Sequence, residues 1–144
     1  MKAVLLYGSE TWRLTRGLKQ KLQVLINKSL RNILWIWWPR RIRNEELWRQ
    51  AEQRPVKQEI RQRTWCWIGH TRMRPGGDIA KRAIECNPQG KRKRGRPQHT
   101  WRRRRMAELP ERQLTWQEVK RTAQNRVRWR ALVDDLSSIR NEED

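Results

Sequence analysis

The residues with the most evident chemistry in this chain are cations, and they are densest between positions 91 and 105. That stretch holds nine Lys or Arg side chains and no Asp or Glu. Cations at this density neutralise phosphates and release the counterions around them, so affinity for a nucleic acid falls steeply as salt rises. The predicted contacts are Lys91, Arg92, Lys93, Arg94, Arg96, Trp101, Arg102, Arg103, Arg104 and Arg105.

Two features of this stretch leave alternatives open. Arg94–Pro97 reads Arg-Gly-Arg-Pro, similar to the core of an AT-hook, in which a glycine without Cβ lets two arginines enter a narrow A·T minor groove. The same residues suit general phosphate or sugar contact, or a solvated loop or nuclear-import signal. Trp101 lies between the basic residues of 91–96 and those of Arg102–Arg105, where its indole can stack on a base or ribose or can anchor its helix.

Patterns typical of catalytic centres are weak by comparison. Val133–Leu136 contains two adjacent aspartates, but a two-metal polymerase centre needs a third acid from another strand, and this pair ends a helical pattern. The chain contains no Walker loop, no Gly-x-Ser-x-Gly and no His-Glu-x-x-His. We therefore expect no catalytic residue and no small-molecule substrate.

Four potential zinc ligands are separated by 4, 16 and 13 positions, whereas zinc sites usually have short paired spacings. A histidine on a helix beside a tryptophan is more often packed or hydrogen-bonded than bound to metal. The sequence therefore predicts neither a metal site nor a cofactor. The four side chains are those of Cys66, His70, Cys86 and His99.

Composition limits how such residues can be positioned. The 144 residues carry a net charge of +20 and are 35% hydrophobic, so self-repulsion opposes compaction and favours a polyanionic partner. Ten tryptophans supply large apolar side chains, which favours small helix–helix clusters over one deep core. Two cysteines do not make a disulfide framework, and no apolar run is long enough for a membrane span or a secretion signal. We expect an intracellular, nuclear protein without a transmembrane segment.

The apolar periodicity predicts an all-α fold of about five to six helices in small antiparallel clusters. Residues 3–7 fit either a short N-terminal strand or a cut helix. On the helices, Trp37, Trp67 and Trp116 are expected in the core. The first predicted helix spans 16–36 with Thr15 as its N-cap, the second runs from its N-cap Asn44 to the residue before Pro55, and the third runs from Pro55 to the turn at Pro75. The fourth spans 78–85 and is capped by Asp78, and the fifth runs from Thr100 to Leu109. The last is one helix from a Thr115–Glu118 capping box to residue 137.

Residues 86–99 are the clearest break in this pattern. They contain two Pro, two Gly and a run of like charges, which leaves little to bury and predicts a mobile loop. The predicted organisation is a helical module over 1–85, a basic flexible loop over 86–99 and a C-terminal helical segment over 100–144, within one structural unit.

A series of segments runs in order through nearly the whole chain, beginning with LLYGSETW at Leu5–Trp12. It continues at Ile36–Ile42, Asn44–Trp48, Trp65–His70, Asn87–Pro97, Thr100–Arg103 and Arg126–Arg130 with Asp134. This series resembles the region that follows the palm in non-long-terminal-repeat retrotransposon reverse transcriptases. Because the segments occur in order with similar gaps, the resemblance is more specific than any single motif above.

Members of that family join an endonuclease to an RNA-dependent DNA polymerase and insert copies by target-primed reverse transcription. The resemblance implies a thumb and C-terminal region that grips the template and primer backbone, with RNA, DNA and the rest of the polymerase as partners. It implies a fragment that lacks fingers, palm and endonuclease and is not an enzyme on its own. An AT-hook-like or chromatin-associated DNA-binding protein, and a non-functional truncated copy of the element, are the alternatives.

Overall fold

The computed structural model describes residues 2–86, 101–110 and 113–138, which contain helices and no strand. The predicted all-α class is confirmed, but the eight α-helices in this part of the chain exceed the predicted five to six. The N-terminal run is a helix, and no helix here has the length and apolarity needed to cross a bilayer. The elements are α1 (Lys2–Leu5), a 3-10 helix (Ser9–Thr11), α2 (Arg16–Ile33), α3 (Asn44–Gln50), α4 (Val56–Met73), α5 (Ile79–Glu85), α6 (Trp101–Ala107), α7 (Trp116–Thr122) and α8 (Arg126–Ser138).

Three helices begin at the side-chain caps that the sequence predicts. The Thr15 hydroxyl accepts a backbone hydrogen bond of 3.3 Å at the start of α2, and the Asp78 carboxylate accepts one of 2.8 Å at the start of α5. Before α7, the Thr115 hydroxyl accepts from the Glu118 amide, and the Glu118 carboxylate accepts from the Thr115 amide at 2.6 Å. Each bond satisfies an amide that the helix leaves unpaired, so these helix starts are encoded locally.

At two helix starts the prediction is wrong, and each involves an asparagine. Arg43 occupies the N-cap of α3 without a side-chain cap, and the Asn44 side chain instead accepts from Arg31 Nη2 at 2.8 Å. Asn125 accepts from the backbone amides two and three residues further on, each at 3.1 Å. This cap starts α8, so the single helix predicted after Thr115 is two helices.

Helix α2 ends at Ile33, before the predicted end at residue 36, because the chain turns through a Schellman motif. The Trp35 amide donates to the Asn32 carbonyl at 3.3 Å, and the Ile36 amide donates to the Arg31 carbonyl at 2.9 Å. Trp35 has a φ of 53°, in the left-handed position that glycine usually takes. The motif leaves Ile36 buried and Trp35 exposed.

The described residues form two compact units. The first contains the residues up to Thr64 together with those from Asp134 onward, and the second contains Trp65–Val133. Of the loop predicted over 86–99, only Cys86 is among the described residues. That loop and the boundaries on either side of it therefore stay predictions.

The core of the first unit combines apolar packing with buried hydrogen bonds. Gln23 Oε1 accepts the Val56 amide at 2.8 Å, so a side chain of α2 satisfies the first turn of α4. Buried Asn27 accepts from Gln23 Nε2 and from Trp48 Nε1, each at 2.8 Å. These bonds fix α2 relative to α3 and α4. The buried apolar members of the cluster are Leu6, Leu14, Leu22, Ile26, Val56 and Ile60.

Two tryptophans lie in the core of the second unit. Trp65 of α4 and Trp129 of α8 are 0% and 4% exposed, and their rings lie 6.3 Å apart at an interplanar angle of 60°. Gly69, one turn after Trp65, admits the Trp129 indole, because an added Cβ would lie 1.9 Å from its Nε1. A larger residue at position 69 would displace the indole, so packing requires glycine there.

The prediction of a core position is wrong for Trp37, which is 56% exposed. Trp67 and Trp116 are half-buried and make ring contacts within the second unit. The fully buried tryptophan of α4 is Trp65, two residues before Trp67. Side chains two residues apart lie on nearly opposite faces of a helix, so the stripe of Val56 and Ile60 favours Trp67, whereas packing in the second unit encloses the other face of α4, which carries Trp65.

Candidate nucleic-acid interface

The predicted nucleic-acid contacts fall into two groups. Trp101 and Arg102–Arg105 lie on α6, which has seven residues. This helix belongs to the second unit. The other predicted contacts, which lie outside the described ranges and stay sequence predictions, are Lys91, Arg92, Lys93, Arg94 and Arg96.

Helix α6 is anchored through its first two residues. Trp101 meets Trp67 of α4 edge to face, with ring centroids 5.9 Å apart and an interplanar angle of 87°. Arg102 Nη1 donates to the carbonyl of Glu85, the last residue of α5, at 2.9 Å. Of the two roles predicted for Trp101, the structure favours anchoring, since its half-buried ring already packs against another ring.

Arg105 has a structural role that the sequence reasoning did not assign to it. Its side chain is buried, and its Nη1 lies 2.8 Å from Glu108 Oε1. Glu108 Oε2 also accepts from Trp65 Nε1 at 3.1 Å. A buried guanidinium needs such a partner, because an unpaired buried charge is strongly destabilising. On the same helix, Arg103 is exposed and Arg104 is half-buried.

One carboxylate of the second unit binds two further cations. Glu85 Oε1 lies 2.7 Å from Arg72 Nη1 and 2.6 Å from Lys120 Nζ. The hydrogen bond from Lys120, and then the one from Arg72, lowers the pKa of Glu85 to about 2. Arg72 also lies over the Trp116 ring, 5.5 Å from its centroid, as a cation–π pair. These cations stabilise the fold, so less charge is left for a polyanion than the formal total suggests.

The side chains considered as metal ligands or catalytic acids are scattered. Cys66 and Cys86 are exposed free cysteines, and His70 is exposed on α4, while His99 lies outside the described residues. Among the residues that the structure describes, no three His, Cys, Asp or Glu side chains are grouped to hold a metal ion. Asp134–Asp135 occupy consecutive positions of helix α8, which point in different directions.

A surface that the sequence reasoning missed follows α2. Trp35, Trp37 and Trp38 are 81%, 56% and 79% exposed. They belong to a stretch, Thr11–Asn44, that contains nine Lys or Arg residues and no Asp, Glu or His. The absence of acids is the signal that could have revealed this surface, because cations without neighbouring carboxylates favour an anionic partner.

Comparison of the chain with family models, with curated proteins and with solved structures gives no match. The resemblance to retrotransposon reverse transcriptases is therefore carried by its sequence motifs alone.

Proposed function

We propose that the chain binds the sugar–phosphate backbone of RNA or DNA, as the thumb and C-terminal region of a non-long-terminal-repeat retrotransposon reverse transcriptase. The observation that carries this proposal is the run of nine cations without an acid between positions 91 and 105, in a chain with a net charge of +20. The structure supports it by anchoring α6, which carries the last four cations of the run and holds Arg103 exposed.

The mechanism is electrostatic and depends on shape more than on sequence. Each phosphate that a Lys or Arg neutralises releases counterions, so for each such contact the logarithm of the affinity for duplex DNA falls by about 0.9 for every tenfold rise in salt concentration. Backbone contacts of this kind set position and register without reading bases. The proposed contacts are Lys91, Arg92, Lys93, Arg94, Arg96, Arg102, Arg103 and Arg104, with Arg105 left out because it is buried against Glu108.

The test compares two variants that lose the same charge in different places. One carries Arg92→Gln, Arg94→Gln and Arg96→Gln. The control replaces three exposed arginines of α8 by glutamine, at positions 126, 128 and 130. Duplex and RNA–DNA hybrid binding are measured over a series of salt concentrations.

We plot the logarithm of affinity against the logarithm of salt concentration. The slope should become shallower in the loop variant, by up to about 0.9 for each charge removed, and should change less in the control. Equal flattening in both variants would mean that total charge, and not the loop, governs binding. An unchanged slope in the loop variant would remove residues 91–96 from the interface. No binding by the unmodified chain in dilute buffer would end the proposal.

A second candidate function follows from Arg94–Pro97, whose sequence is similar to an AT-hook core. Two arginines flanking a glycine can enter the narrow minor groove of an A·T tract, where the negative potential is enhanced. Competition between A·T-rich and G·C-rich duplexes of equal length separates this function from general backbone binding. A clear A·T preference supports the hook, and equal competition counts against it.

The proposal assigns the chain no polymerase centre of its own. Phosphoryl transfer by a two-metal mechanism needs carboxylates that converge on the metals, and Asp134–Asp135 lie on consecutive helical positions. In this proposal, the rest of the polymerase supplies the catalytic palm. Primer extension with Mg²⁺ and purified chain should give no product, and any template-dependent product would contradict the assignment.

A further inference from the structure

The exposed tryptophans after α2 are held on an anchored backbone. The Schellman motif places Trp35 in a left-handed conformation that a non-glycine residue rarely adopts, and directs its indole into solvent. Ile36, between Trp35 and Trp37, is 5% exposed and fixes the segment to the first unit. Large exposed apolar side chains grouped in this way indicate a binding surface, whereas scattered ones do not.

An open groove runs beside these side chains, with a volume of 480 Å³, which lies in the range of sites that bind small organic groups. Trp37 and Trp38 line it together with Lys28, and the exposed side chain of Asn32 supplies an amide donor and acceptor. We call this surface the tryptophan groove. Its lining residues are Val24, Asn27, Lys28, Arg31, Asn32, Ile36, Trp37, Trp38 and Asn44.

The tryptophan groove continues along the outer side of α2. A second depression of 480 Å³ extends from Gly17 to Lys28, and Val24 and Lys28 line both. At a rise of about 1.5 Å per helical residue, the distance along α2 from Gly17 to Ile33 is about 24 Å. The surface is therefore long enough to bind an extended chain and not only a single small group.

The charge of this region indicates what chemistry covers it. Within the described residues, Lys28, Arg40 and Arg41 form no ion pair, and Thr11–Asn44 contains no acid. A second copy of this chain, itself at +20, would be repelled. An anionic membrane would also attract cations and tryptophans, but it favours an apolar helix face rather than a groove lined by asparagines. Phosphates beside flat, hydrogen-bonding bases match the cations, the indoles and the amides together.

We propose that the tryptophan groove binds single-stranded nucleic acid, with bases stacked on Trp37 and Trp38 and phosphates paired with Lys28, Arg40 and Arg41. Trp35, 81% exposed two residues before Trp37, offers a further ring on which a base can stack. Stacking requires unpaired bases, so this surface is selective for single strands, whereas the basic segment 91–105 contacts the backbone of a duplex. The inference rests on the proposed nucleic-acid-binding function and assigns it a second site.

The test is filter binding of a single-stranded oligonucleotide of about twelve nucleotides, and of a duplex of equal length, at one fixed salt concentration. The variant carries Trp37→Ser and Trp38→Ser, both at positions that are more than half exposed. The matched control is Tyr7→Ser, which removes an 84% exposed aromatic ring from the same unit outside the groove.

We expect the double variant to weaken single-strand binding by about 10- to 100-fold and to leave duplex binding unchanged, since each stacked base contributes a measurable share of affinity. The Tyr7 control should bind both ligands as the unmodified chain does. Normal single-strand binding by the double variant, or equal loss on both ligands, overturns the inference while the proposed function stands. If the unmodified chain binds neither ligand, the proposed function fails as well.

Two further arms identify other occupants of the groove. If the double variant loses cosedimentation with vesicles of anionic phospholipid but keeps single-strand affinity, the surface is a membrane site and the inference is overturned. If instead it loses self-association in analytical ultracentrifugation and keeps single-strand affinity, the groove is an interface between copies, which overturns it equally.

Discussion

Tryptophans occupy two contrasting environments in this chain. In the second unit they form pairs, Trp65 with Trp129 and Trp67 with Trp101. In the segment that follows α2, the three at positions 35, 37 and 38 are more than half exposed. The same residue type thus builds a core in one region and a surface in the other.

The carboxylates near these side chains differ in the same way. In the second unit, Glu108 binds the buried Arg105 and accepts a hydrogen bond from Trp65 Nε1, and Glu85 binds Arg72, whose side chain is 6% exposed. The stretch Thr11–Asn44 contains no carboxylate to pair with its cations. The exposed indoles thus lie in a stretch whose cations have no carboxylate among them, whereas the enclosed Trp65 shares a carboxylate with a buried arginine.

The largest expected effect tests the contrast directly. Trp65→Ala should lower the free energy of unfolding by about 3–5 kcal/mol, because it removes a fully buried ring and leaves a cavity. Trp38→Ala, at a 79% exposed position, should change it by no more than about 0.5 kcal/mol. Urea unfolding followed by circular dichroism measures both. Similar losses in the two variants would show that the environments do not differ in the way described.

The next effect concerns glycine. Gly69→Ala should destabilise the chain by about 1–3 kcal/mol, because the new methyl group overlaps the Trp129 indole. Gly17→Ala in α2 meets nothing within 4 Å and should stabilise by about 0.5–1 kcal/mol through its better helix propensity. Opposite signs in the same urea titration support the packing account. A neutral Gly69→Ala would mean that the indole has room to move.

A smaller effect depends on pH. The pKa of Glu85 falls from 4.5 to about 2 on folding, so its contribution is present above pH 4.5 and is lost as the pH falls through 2. Because the carboxylate is 44% exposed, solvent screening limits the contribution to about 1 kcal/mol. Glu85→Gln should lose this amount at neutral pH and unfold with a flatter dependence on pH between 4.5 and 2.

Glu46→Gln is the matched control for that measurement. The pKa of Glu46 is also lowered, by hydrogen bonds from Arg49 and then Gln50, but these partners lie three and four residues away on the same helix and link α3 to no other element. Acid unfolding of this variant should resemble that of the unmodified chain. If the two variants behave alike, the ion pairs of Glu85 do not stabilise the second unit.

The smallest effect is at Trp35. Trp35→Gly should leave stability unchanged or raise it by up to about 1 kcal/mol, because glycine relieves the left-handed backbone while gaining freedom in the unfolded chain. Trp35→Ala keeps the strain and loses only the exposed ring, so it serves as the comparison. Thermal unfolding of the two variants should rank glycine above alanine, and the reverse order would contradict the assigned turn.

The predictable part of the fold depends on short-range interactions. The caps at Thr15, Asp78 and Thr115 use partners within three residues, so the sequence alone reveals them. The Asn125 cap is equally local, but the apolar stripe passes through it without a Gly or Pro, and periodicity favoured one continuous helix. Local rules thus predict most helix starts and miss a break that the stripe conceals.

The remainder depends on packing between elements distant in sequence. Whether Trp65 or Trp67 is enclosed depends on Trp129 and Trp101, which no local pattern specifies. Arg105 was predicted to contact nucleic acid, but it pairs with Glu108. The three-residue separation of the two, typical of an ion pair on a helix, is visible in the sequence. The run 91–96 was found from charge alone and stays a prediction.

The solvent-facing indoles give the molecule an optical signature. Emission from an indole is lost on collision with dissolved iodide, an anion that surrounding cations concentrate near the surface. Iodide should therefore quench the fluorescence of the tryptophans at positions 35, 37 and 38 at concentrations that leave the buried Trp65 and Trp129 almost unquenched. A partner that covers these indoles would protect their fluorescence from iodide, so binding to this surface can be followed without a label.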